Sequence, residues 1–353
     1  MVGDDMGARF LVMGCGGIGG TTASLLSESG QDVTAFTTNV EIAAAVRERG
    51  FQVRGDGAAR AVKAPISNVV PEGPFDFVLL CTQPPQVEEA ARMALPALAP
   101  DGLMVVMQNG LCEARVAKIA GDVRTAGAVV AWGATMPEPG VYDRTAPGGY
   151  ALGTLDGAPT PRLAELGRAL EAIGPVEITE NLAGKRWSKL AINAAISSLG
   201  TLGGDRLGAL MPNRFLRRTC LEIMTECVQV ARKREVRLEK VSGTIDLDWI
   251  ALTEEEREAS GSPSLVAKHA LLLAVGFRFR RMRSSMLSAI ERGRTPAVDF
   301  LNGELVDHGR AVGVPTPVNA LARDMVWEIA GGKRKPGLDT LRELYERTGP
   351  HGL

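Results

Sequence analysis

A glycine-rich segment near the start of the chain has the residue types and the spacing to hold a phosphate group. Gly14-Cys15-Gly16-Gly17-Ile18-Gly19 fits the pattern G-x-G-x-x-G, between an apolar run at 10–14 and a helical pattern at 18–29 that ends at Gly30. In such a turn the first glycine allows a tight bend, the second lets the backbone approach a pyrophosphate, and the third lets helix and strand pack closely. The N-terminus of the helix then faces the anion. Because the pattern lies between a strand and a helix, these six residues predict a dinucleotide site rather than a merely structural turn.

The end of the second predicted strand, Gln31 to Phe36, bears on which dinucleotide is bound. An NAD site usually has Asp or Glu there, about 20 residues after the glycines, to accept from the ribose 2′-hydroxyl. This chain has Thr37-Thr38-Asn39, with neither an acid nor an arginine. Hydroxyls and an amide can bond a 2′-phosphate and nothing there repels one, so we favour NADP(H) over NAD(H).

A polar stripe on an apolar helix is the second group of residues whose types could do chemistry. Lys189, Asn193 and Ser197 recur every four residues among Leu, Ala and Ile, so they share one helix face. In a cleft, desolvation would lower the pKa of Lys189 towards the working range of a general acid, and Asn193 would hold the ammonium or a substrate carbonyl. On spacing alone, a surface stripe with a lysine that reaches into solvent explains the pattern at least as well.

The elements that must position these residues change character along the chain. Apolar runs alternate with helical stretches in the N-terminal half, which is typical of a parallel α/β sheet, and further strands are predicted at 75–81, 103–107 and 126–131. Residues 132–154, with several Gly and Pro, predict the antiparallel end of this domain, before a helix at 162–173 and a short strand at 175–178.

From about residue 183 onwards the pattern is helical, with long segments of period 3.6. We therefore predict a domain boundary between 180 and 184. Residues 251–264 form the most polar stretch, which we interpret as an exposed insertion.

Composition excludes several classes of protein. The 353 residues are 45% hydrophobic and 23% charged with a net charge of -1, which argues against disorder, a general nucleic-acid binder and an anionic-membrane binder. Five scattered cysteines without a C-x-x-C pattern favour a reduced, cytoplasmic protein, and three histidines without ligand spacing predict no metal site. We find no targeting segment and no apolar run of the roughly 18 residues that a membrane helix needs.

Several motifs follow the glycine turn in a fixed order. They are Gln108-Asn109-Gly110, Trp187-Ser188-Lys189-Leu190-Ala191-Ile192-Asn193, Ser284-Ser285-Met286-Leu287, Asp299-Phe300-Leu301-Asn302-Gly303 and Gly313-Val314-Pro315-Thr316-Pro317-Val318-Asn319. Over nearly the whole length the chain resembles the ketopantoate reductase (2-dehydropantoate 2-reductase) family, as a divergent member. The resemblance implies an α/β Rossmann NAD(P)-binding domain over 1–182, an all-helical substrate and dimerisation domain over 183–353, and an active site in the cleft between them. It also implies NADPH-dependent reduction of a 2-oxo acid to a 2-hydroxy acid.

The resemblance also implies roles for individual residues. Lys189 matches the catalytic lysine that donates a proton to the ketone oxygen, and Asn193 matches the asparagine that positions substrate and lysine. Asn109 matches the asparagine beside nicotinamide and substrate, and Ser285 matches the serine that contacts the substrate carboxylate. We add Arg283, just before the Ser284-Ser285 pair, as a residue that would reach an acid substrate.

The chain departs from the family pattern at four positions. The family's usual Glu is Ala297, its frequent Lys after the third strand is Gln83, its Arg after the second strand is Thr38, and an Asn of the polar stripe is Ser197. We keep Gln83 and Thr38, with Thr37 and Asn109, among the cofactor-binding residues, and Ser197 among the substrate-binding ones. A Glu at 297 would stand at the start of a helix over 295–308, which Thr295 would cap, with Asp299 in its first turn. Without it a ketopantoate hydroxyl loses a partner worth ~1–3 kcal/mol, so we predict poor activity on ketopantoate and better activity on apolar or aromatic 2-oxo acids.

Two other functions remain open at this point. The same site would serve NAD-dependent oxidation of an aromatic or bulky 2-hydroxy acid, or the chain would be a non-catalytic dinucleotide-binding sensor, which need not keep Lys189 and Asn193. As partners we predict a small 2-oxo acid and a second copy of the chain in a homodimer. We predict no nucleic acid, because the basic cluster Arg278–Arg283 is better explained as a solvated helix face. Glu304, Asp307 and His308 are likewise interpreted as a solvated face.

Overall fold

The computed structural model describes residues 7–55, 57–240, 245–258 and 261–349. The chain forms two compact units. The first contains the residues up to Gln108 and Cys112–Leu182, and the second contains Asn109–Leu111 and the residues from Ala183 onwards. The first is α/β and the second is helical, which confirms the predicted fold class.

Strands and helices alternate through most of the first unit. Its strands are β1 (Arg9–Met13), β2 (Asp32–Phe36), β3 (Phe51–Arg54), β4 (Arg60–Val62), β5 (Ile66–Ser67), β6 (Phe75–Leu80), β7 (Leu98–Val106), β8 (Thr125–Val130), β9 (Gly133–Glu138), β10 (Val141–Ala146), β11 (Tyr150–Thr154) and β12 (Val176–Ile178). Its helices are α1 (Gly17–Glu28), α2 (Val40–Arg49), α3 (Val87–Ala94), α4 (Glu113–Ala120) and α5 (Pro161–Leu170).

The main sheet of the described residues has eight strands in the order β12-β11-β8-β7-β6-β1-β2-β5. The pairs from β8 through β5 are parallel, whereas β11 runs antiparallel to β8. In the middle of the sheet, β1 is buried along the consecutive residues 10–13 and β6 along 77–80. Successive side chains of a strand point to opposite faces, so both faces of the sheet are covered.

A second, four-stranded sheet in the order β4-β3-β10-β9 corrects the prediction for residues 132–154. Only β11 of that stretch joins the main sheet, whereas β9 and β10 pair with each other and with β3, a strand that the sequence pattern did not reveal. The reason is apolar packing: Phe51 and Val53 of β3 are fully buried, and the Phe51 ring lies 5.7 Å from the ring of Tyr142 on β10.

The second unit is a set of packed helices. They are α6 (Leu182–Gly203), α7 (Leu207–Leu210), α8 (Arg214–Lys233), α9 (Leu247–Ile250), α10 (Glu254–Glu258), α11 (Pro263–Arg278), α12 (Ser285–Glu291), α13 (Asn302–Val312), α14 (Pro317–Ala330) and α15 (Leu338–Thr348). Helix α8 is buried over most of its length, and α13, α14 and α15 pack against it.

The interpretation of residues 251–264 as an exposed insertion is correct for most of the described residues and wrong for Ala251, Leu252 and Glu256. Ala251 and Leu252 are buried, and the Leu252 N–H donates to the Thr225 hydroxyl on α8 (2.8 Å). The Glu256 carboxylate is buried against the Lys268 ammonium of α11 at 2.5 Å. Thr253, Glu254, Glu255 and Glu258 are exposed as predicted, so the stretch is a solvated surface held to the core by Ala251, Leu252 and Glu256; residues 259–260 lie outside the described residues.

The predicted helix over 295–308 is wrong before residue 302. A 3-10 turn at Ala297–Phe300 ends at Leu301, whose φ of -121° and ψ of -89° are not helical, and α13 begins only at Asn302. The Asp299 carboxylate does not lie in the first turn of an α-helix; it accepts a hydrogen bond from the Trp327 indole N–H of α14 (3.1 Å).

Two predicted solvated faces need correction. Glu304 is buried and lies 3.5 Å from the His308 imidazole, whose ring packs on Trp187, so only Asp307 of that trio is largely exposed. The basic cluster is exposed, but only Arg278 of it belongs to a helix, because α11 ends there.

Among the residues that the structure describes, we find no helix with the length and apolar character to span a bilayer.

Candidate functional site

The glycine-rich turn joins the end of β1 to the start of α1. Gly14 has a φ of +102°, in the region that favours glycine, and its N–H donates to the Phe36 carbonyl at the end of β2 (2.8 Å). A Cβ at Gly19 would lie 1.8 Å from the Gly14 carbonyl oxygen. Only glycine at position 19 therefore lets α1 pack this closely against the turn.

Gly16 is the open position of the turn. No described atom lies within 4 Å of the place where a Cβ on Gly16 would stand. Gly16 is the N-cap residue of α1, and no side chain of the described residues caps the first turn of that helix. The turn thus presents uncapped N–H groups and the positive end of a helix dipole beside empty space, which fits the diphosphate of a dinucleotide.

The other residues of the turn contribute through the backbone or through packing. The Cys15 thiol is buried and donates to the Phe36 carbonyl (3.5 Å), and burial raises its pKa to about 12, so it is not a nucleophile. Gly17 and Ile18 are half-buried, and a Cβ at Gly17 would lie 2.4 Å from the Ala134 carbonyl oxygen of β9.

The residues predicted near the ribose differ in accessibility. Thr37 is buried and its hydroxyl accepts from the Asn39 N–H (3.2 Å), whereas Thr38 is exposed at the end of β2. The Asn39 side chain caps α2 by accepting from the Glu41 and Ile42 N–H groups. Gln83 is exposed just after β6. Thr38 and Gln83 are therefore exposed, as are Asn39 and the predicted Asn109, whereas Thr37 is buried.

Tyr142, which sequence reasoning missed, supports the turn from the second sheet. It is fully buried, its hydroxyl donates to the Cys15 carbonyl (3.2 Å), and a Cβ at Gly20 would lie 1.9 Å from its ring. The ring thus occupies the space left by the missing side chain of Gly20. No local sequence signal indicates this contact, because Tyr142 is more than 120 residues away along the chain.

In the second unit, Lys189, Asn193 and Ser197 lie on one half-buried face of α6, as the spacing predicts. The opposite face, with Leu190, Ala191 and Ala194, packs into the core of the unit. Lys185, one turn before Lys189, pairs with Glu239 at 3.3 Å. This ion pair, missed from the sequence, compensates a second positive charge on the same face.

The serine motif lies against the same helix. Ser284, not Ser285, is buried: its hydroxyl donates to the Ser197 carbonyl (2.9 Å), lies 2.8 Å from the Thr201 hydroxyl and caps α12 by accepting from the Leu287 N–H. Ser285 is exposed at the first position of α12. Arg283 pairs with Glu291 at 2.5 Å and both side chains are about half exposed.

Two more motifs make contacts within this unit, one with α6 and one with the turn before α13. The Asn302 amide N–H donates to the Ala194 carbonyl (3.3 Å), next to Asn193. A Cβ at Gly110, whose φ is +92°, would lie 2.4 Å from the Phe300 carbonyl oxygen, so Gly110 packs on the turn that holds Ala297. Ala297 itself is half-buried. Two motifs that are distant in the sequence thus contact α6, through Ser284 and Asn302, and a third packs through Gly110 on Phe300, just before Asn302.

A buried polar network links α8 to Asn302 and to the start of α14. Glu226 of α8 accepts from the N–H groups of Val318 (2.8 Å) and Asn319 (3.0 Å), and Asn319 accepts in turn from the Asn302 amide (2.9 Å). Burial raises the pKa of Glu226 to about 7, although those hydrogen bonds lower it. Sequence reasoning singled out the two asparagine motifs but not Glu226, which is one of many glutamates and lies in no motif.

Comparison with known families matches most of the chain. The family model described as Ketopantoate reductase PanE/ApbA matches residues 10–157, and its C-terminal counterpart matches residues 181–330. The 2-dehydropantoate 2-reductase of Pyrococcus horikoshii is 23% identical over 331 residues, which cover 93% of this chain and 98% of that protein. The 2-dehydropantoate 2-reductase of Pyrococcus abyssi is 24% identical and covers 92% of this chain and 97% of its own length.

Solved structures show the same fold. A PanE/ApbA family ketopantoate reductase from Ralstonia eutropha has a TM-score of 0.76 at 23% identity and covers 93% of this chain and 100% of that structure. A D-mandelate dehydrogenase, solved with NADH and anilino(oxo)acetate, has a TM-score of 0.78 at 19% identity, with 92% and 99% covered. The two family models together span well over half of the residues, and the chain belongs to the ketopantoate reductase family of oxidoreductases.

Proposed function

We propose that the protein reduces a 2-oxo acid to a 2-hydroxy acid with a nicotinamide dinucleotide, with residues 1–182 as the dinucleotide domain and 183–353 as the substrate and dimerisation domain. The observation that carries this proposal is the placement of three motifs in the second unit: Ser284 donates to the Ser197 carbonyl of α6, Asn302 donates to the Ala194 carbonyl of α6, and Gly110 packs on Phe300, two residues before Asn302. These are the family's motifs, and the Pyrococcus relatives are named as 2-dehydropantoate 2-reductases.

The first unit would hold the dinucleotide at Gly14–Gly19, where the open position at Gly16 leaves room for a diphosphate. When bound, the nicotinamide supplies the hydride. We favour NADP(H) over NAD(H), because Thr38 is exposed where an NAD site would carry an acid. Gln83 is also exposed, after β6, which lies on the other side of β1 from β2. The D-mandelate dehydrogenase structure contains NADH, so the cofactor preference is to be measured with both.

In the second unit, Lys189 would donate the proton to the ketone oxygen as the carbonyl carbon is reduced. Asn193, one turn further along α6, would hold the lysine and the carbonyl oxygen in line, and Asn109 would fix the substrate from the other motif. Ser285 would bond the carboxylate, with Ser197 beside it. Arg283 would serve the carboxylate only by leaving Glu291, because the two side chains are paired.

The test is a panel of 2-oxo acids assayed for NADPH and NADH consumption, with Lys189→Ala as the main variant. Loss of a general acid should lower kcat by about 10²–10⁴-fold with little change in cofactor affinity. Lys189→Arg should also be poorly active, because a guanidinium keeps the charge but rarely gives up its proton. Lys118→Ala, at an exposed site on α4, is the control and should be unchanged. Full turnover in Lys189→Ala would contradict the role of Lys189 as proton donor and leave the polar stripe as a surface feature.

A second substrate class is favoured by one residue, Ala297. The position lacks the carboxylate that would accept from a ketopantoate hydroxyl, and a structural neighbour acts on mandelate, an aromatic 2-hydroxy acid. Oxidation of an aromatic or bulky 2-hydroxy acid with NAD is therefore the second candidate, and D-mandelate belongs in the panel.

Ala297→Glu should shift the ratio of kcat/KM for ketopantoate over phenylpyruvate by about 10-fold or more, because one charged hydrogen bond is worth ~1.5–3 kcal/mol. Ala297→Gln has the same length without the charge, so it should shift the ratio less. A native enzyme that already prefers ketopantoate strongly would contradict the role given to this position.

The homodimer and the cytoplasmic location expected from the sequence stay predictions. The five cysteines are free thiols, in line with a reducing compartment.

A further inference from the structure

A recess opens between α7 and the C-terminal half of α11. Its volume is about 460 Å³, and its apolar lining includes Ala209, Met211, Leu273 and Phe277. Leu273 is 44% exposed and Phe277 is 71% exposed, so two large apolar side chains border the recess at the protein surface. A cavity of this size with an apolar wall is in the range of small-molecule binding sites.

Two glycines fix the walls of the recess. A Cβ at Gly208 of α7 would lie 2.5 Å from the Arg280 Cβ, and a Cβ at Gly276 of α11 would lie 2.4 Å from the Met211 Cβ. The Gly208 N–H also donates to the Arg280 carbonyl (3.3 Å). These close contacts build the shape of the recess into the fold, so little conformational entropy is lost when a ligand enters it.

Arginines outnumber acids around the recess. Arg206, Arg280 and Arg281 line it, together with Asp205. The Arg280 guanidinium lies 5.1 Å from the centre of the Phe277 ring, so its charge is held over the apolar wall. These three arginines have no carboxylate oxygen within 4 Å among the residues that the structure describes, so their N–H groups are available to an anion from solution.

The recess adjoins the end of α6 that is far from Lys189. Asp205 follows Gly203, the last residue of α6, by two positions, and a Cβ at Gly203 would lie 2.7 Å from the Leu210 side chain of α7. The 14 positions from Lys189 to Gly203 correspond to about 21 Å along a helix. The recess is therefore separate from the proposed proton donor, and binding there does not depend on the proposed reaction.

Charge and wall together select the class of ligand. Guanidinium N–H groups bind a carboxylate in a bidentate manner, and the apolar wall removes an aryl or alkyl group from water. Asp205 on the same rim disfavours a second negative charge, so a monoanion fits better than a doubly charged phosphate ester. We propose that this recess is a binding site for an amphipathic carboxylate, a monocarboxylic acid with an aryl or alkyl body.

Calorimetric titration of the full-length protein tests the site with three probes. The first, 2-naphthylacetate, combines a carboxylate with an apolar body and has no 2-oxo group to reduce. One molecule should bind per chain, with a dissociation constant on the order of 0.1–1 mM. The second probe, 2-(2-naphthyl)ethanol, lacks the charge, and the third, acetate, lacks the apolar body. Each should bind at least about 10-fold more weakly.

Removal of the arginines tests the charged side of the recess. Arg280→Ala with Arg281→Ala should raise the dissociation constant of 2-naphthylacetate by about 10-fold or more. Arg54→Ala with Arg168→Ala, at two exposed arginines of the first unit, is the matched control and should leave the constant unchanged. All four positions are exposed, so both double variants should unfold close to the melting temperature of the native protein.

Filling the recess tests its apolar side. Ala209→Trp places an indole in the recess and should abolish binding of 2-naphthylacetate. Ala267→Trp, at an exposed position of α11 that does not line the recess, should bind this probe like the native protein.

Lys189→Ala distinguishes this site from the proposed catalytic face. It should bind 2-naphthylacetate with the native constant, and this holds even if no 2-oxo acid proves to be a substrate. Loss of binding in Lys189→Ala would assign the probe to the α6 face and overturn the proposal. So would a native protein that gives no binding heat up to about 10 mM of the probe, or native affinity in the double arginine variant or in Ala209→Trp.

Discussion

The cores of the two units differ in the number of charged side chains that they bury. Among the described residues, the charged side chain buried in the first unit is Glu113, whereas those buried in the second are Arg186, Arg218, Glu222, Glu226, Glu256, Lys268 and Glu304. Two units of similar size in one chain thus differ severalfold in the charge that they remove from water. This contrast follows from how strands and helices satisfy their backbones.

In a sheet, each strand is fixed to its neighbours by backbone hydrogen bonds, so register and spacing follow once the strands pair. The first unit needs little else to place Gly14 and Thr82 beside each other at the ends of neighbouring strands β1 and β6. Polar groups are then free to lie at the carboxyl edge, where a ligand binds in this architecture.

A helix satisfies its backbone internally, so nothing in the backbone fixes one helix relative to the next. In the second unit, side chains do so. Arg218 of α8 donates to the carbonyls of Glu256 (2.8 Å) and Arg257 (3.1 Å), Lys268 of α11 donates to the Ala251 carbonyl (2.8 Å), and Glu226 receives the N-terminus of α14. Each contact ties one helix end to the flank of another, which apolar packing alone does less specifically.

The largest effects should come from the glycines of the first unit, and they should separate folding from binding. Gly19→Val puts side-chain atoms where the Gly14 carbonyl lies, so the first unit should fail to fold. The Cβ of Gly16→Val would stand in open space, so the melting temperature should stay within a few degrees while dinucleotide affinity falls on the order of 100-fold or more, through loss of hydrogen bonds at the helix N-terminus. Calorimetry gives both quantities. If Gly16→Val binds the dinucleotide with native affinity, the proposed dinucleotide site is not at this turn.

Breaking a buried ion pair should have the next largest effect. Lys268→Met leaves the Glu256 carboxylate buried without its cation, so the free energy of unfolding should fall by about 3–5 kcal/mol. The double variant Lys268→Met with Glu256→Met should recover much of that loss, because no charge is then left unpaired. Lys233→Met, at an exposed end of α8, is the control for the substitution itself and should change stability by less than about 0.5 kcal/mol. Urea unfolding measures all three.

The smallest effect should be a pH dependence that resides in Glu226. Its pKa is raised by burial to about 7 from an ordinary 4.5, so between these values the folded state holds a proton that the unfolded state has released. The stability that this group contributes is therefore present at low pH. It is lost as the pH rises through that window, by about 1.4 kcal/mol for each pH unit. Glu226→Gln should flatten this part of the stability curve.

His269 acts in the opposite sense, so the comparison must be made as a difference between variant and native protein. Burial and the nearby Arg217, Arg214 and Arg218 lower the pKa of His269 to about 4 from 6.5, so its contribution is lost as the pH falls. Glu254→Gln, on the exposed side of α10, controls for a general change of charge. A curve for Glu226→Gln parallel to that of the native protein would show that Glu226 does not titrate in this range.

The sequence could predict those parts of the fold whose signals are local. The glycine turn, the strands around it and the four-residue spacing of Lys189, Asn193 and Ser197 are all local patterns, and the structure places each of them as a strand, turn or helix face. The second sheet was missed because β3 and β4 are short and their partners are distant in the chain. The helix at 295–308 was wrong because Leu301 interrupts it without a Gly or Pro signal.

Within residues 251–264, the burial of Glu256 was missed for a more general reason: a run of charged residues indicates solvent unless the partner of each residue is known. One local signal was available. Thr253-Glu254-Glu255-Glu256 fits a capping box, and in the structure the Thr253 and Glu256 side chains each accept from the other's backbone N–H (3.2 and 2.9 Å). That signal predicts a helix start, but it cannot reveal Lys268 as the partner of Glu256, which depends on tertiary packing.

The capping role of Asn39 sets a limit on how this enzyme's cofactor selectivity can be redesigned. Its side chain holds the first turn of α2, so exchanging it for a phosphate-binding or a repelling residue would fray that helix. Thr38, one residue earlier, is exposed and does not cap the helix. Libraries that aim to exchange one dinucleotide for the other should therefore vary position 38 and leave position 39 as asparagine, because a single residue separates a freely tunable site from a structural one.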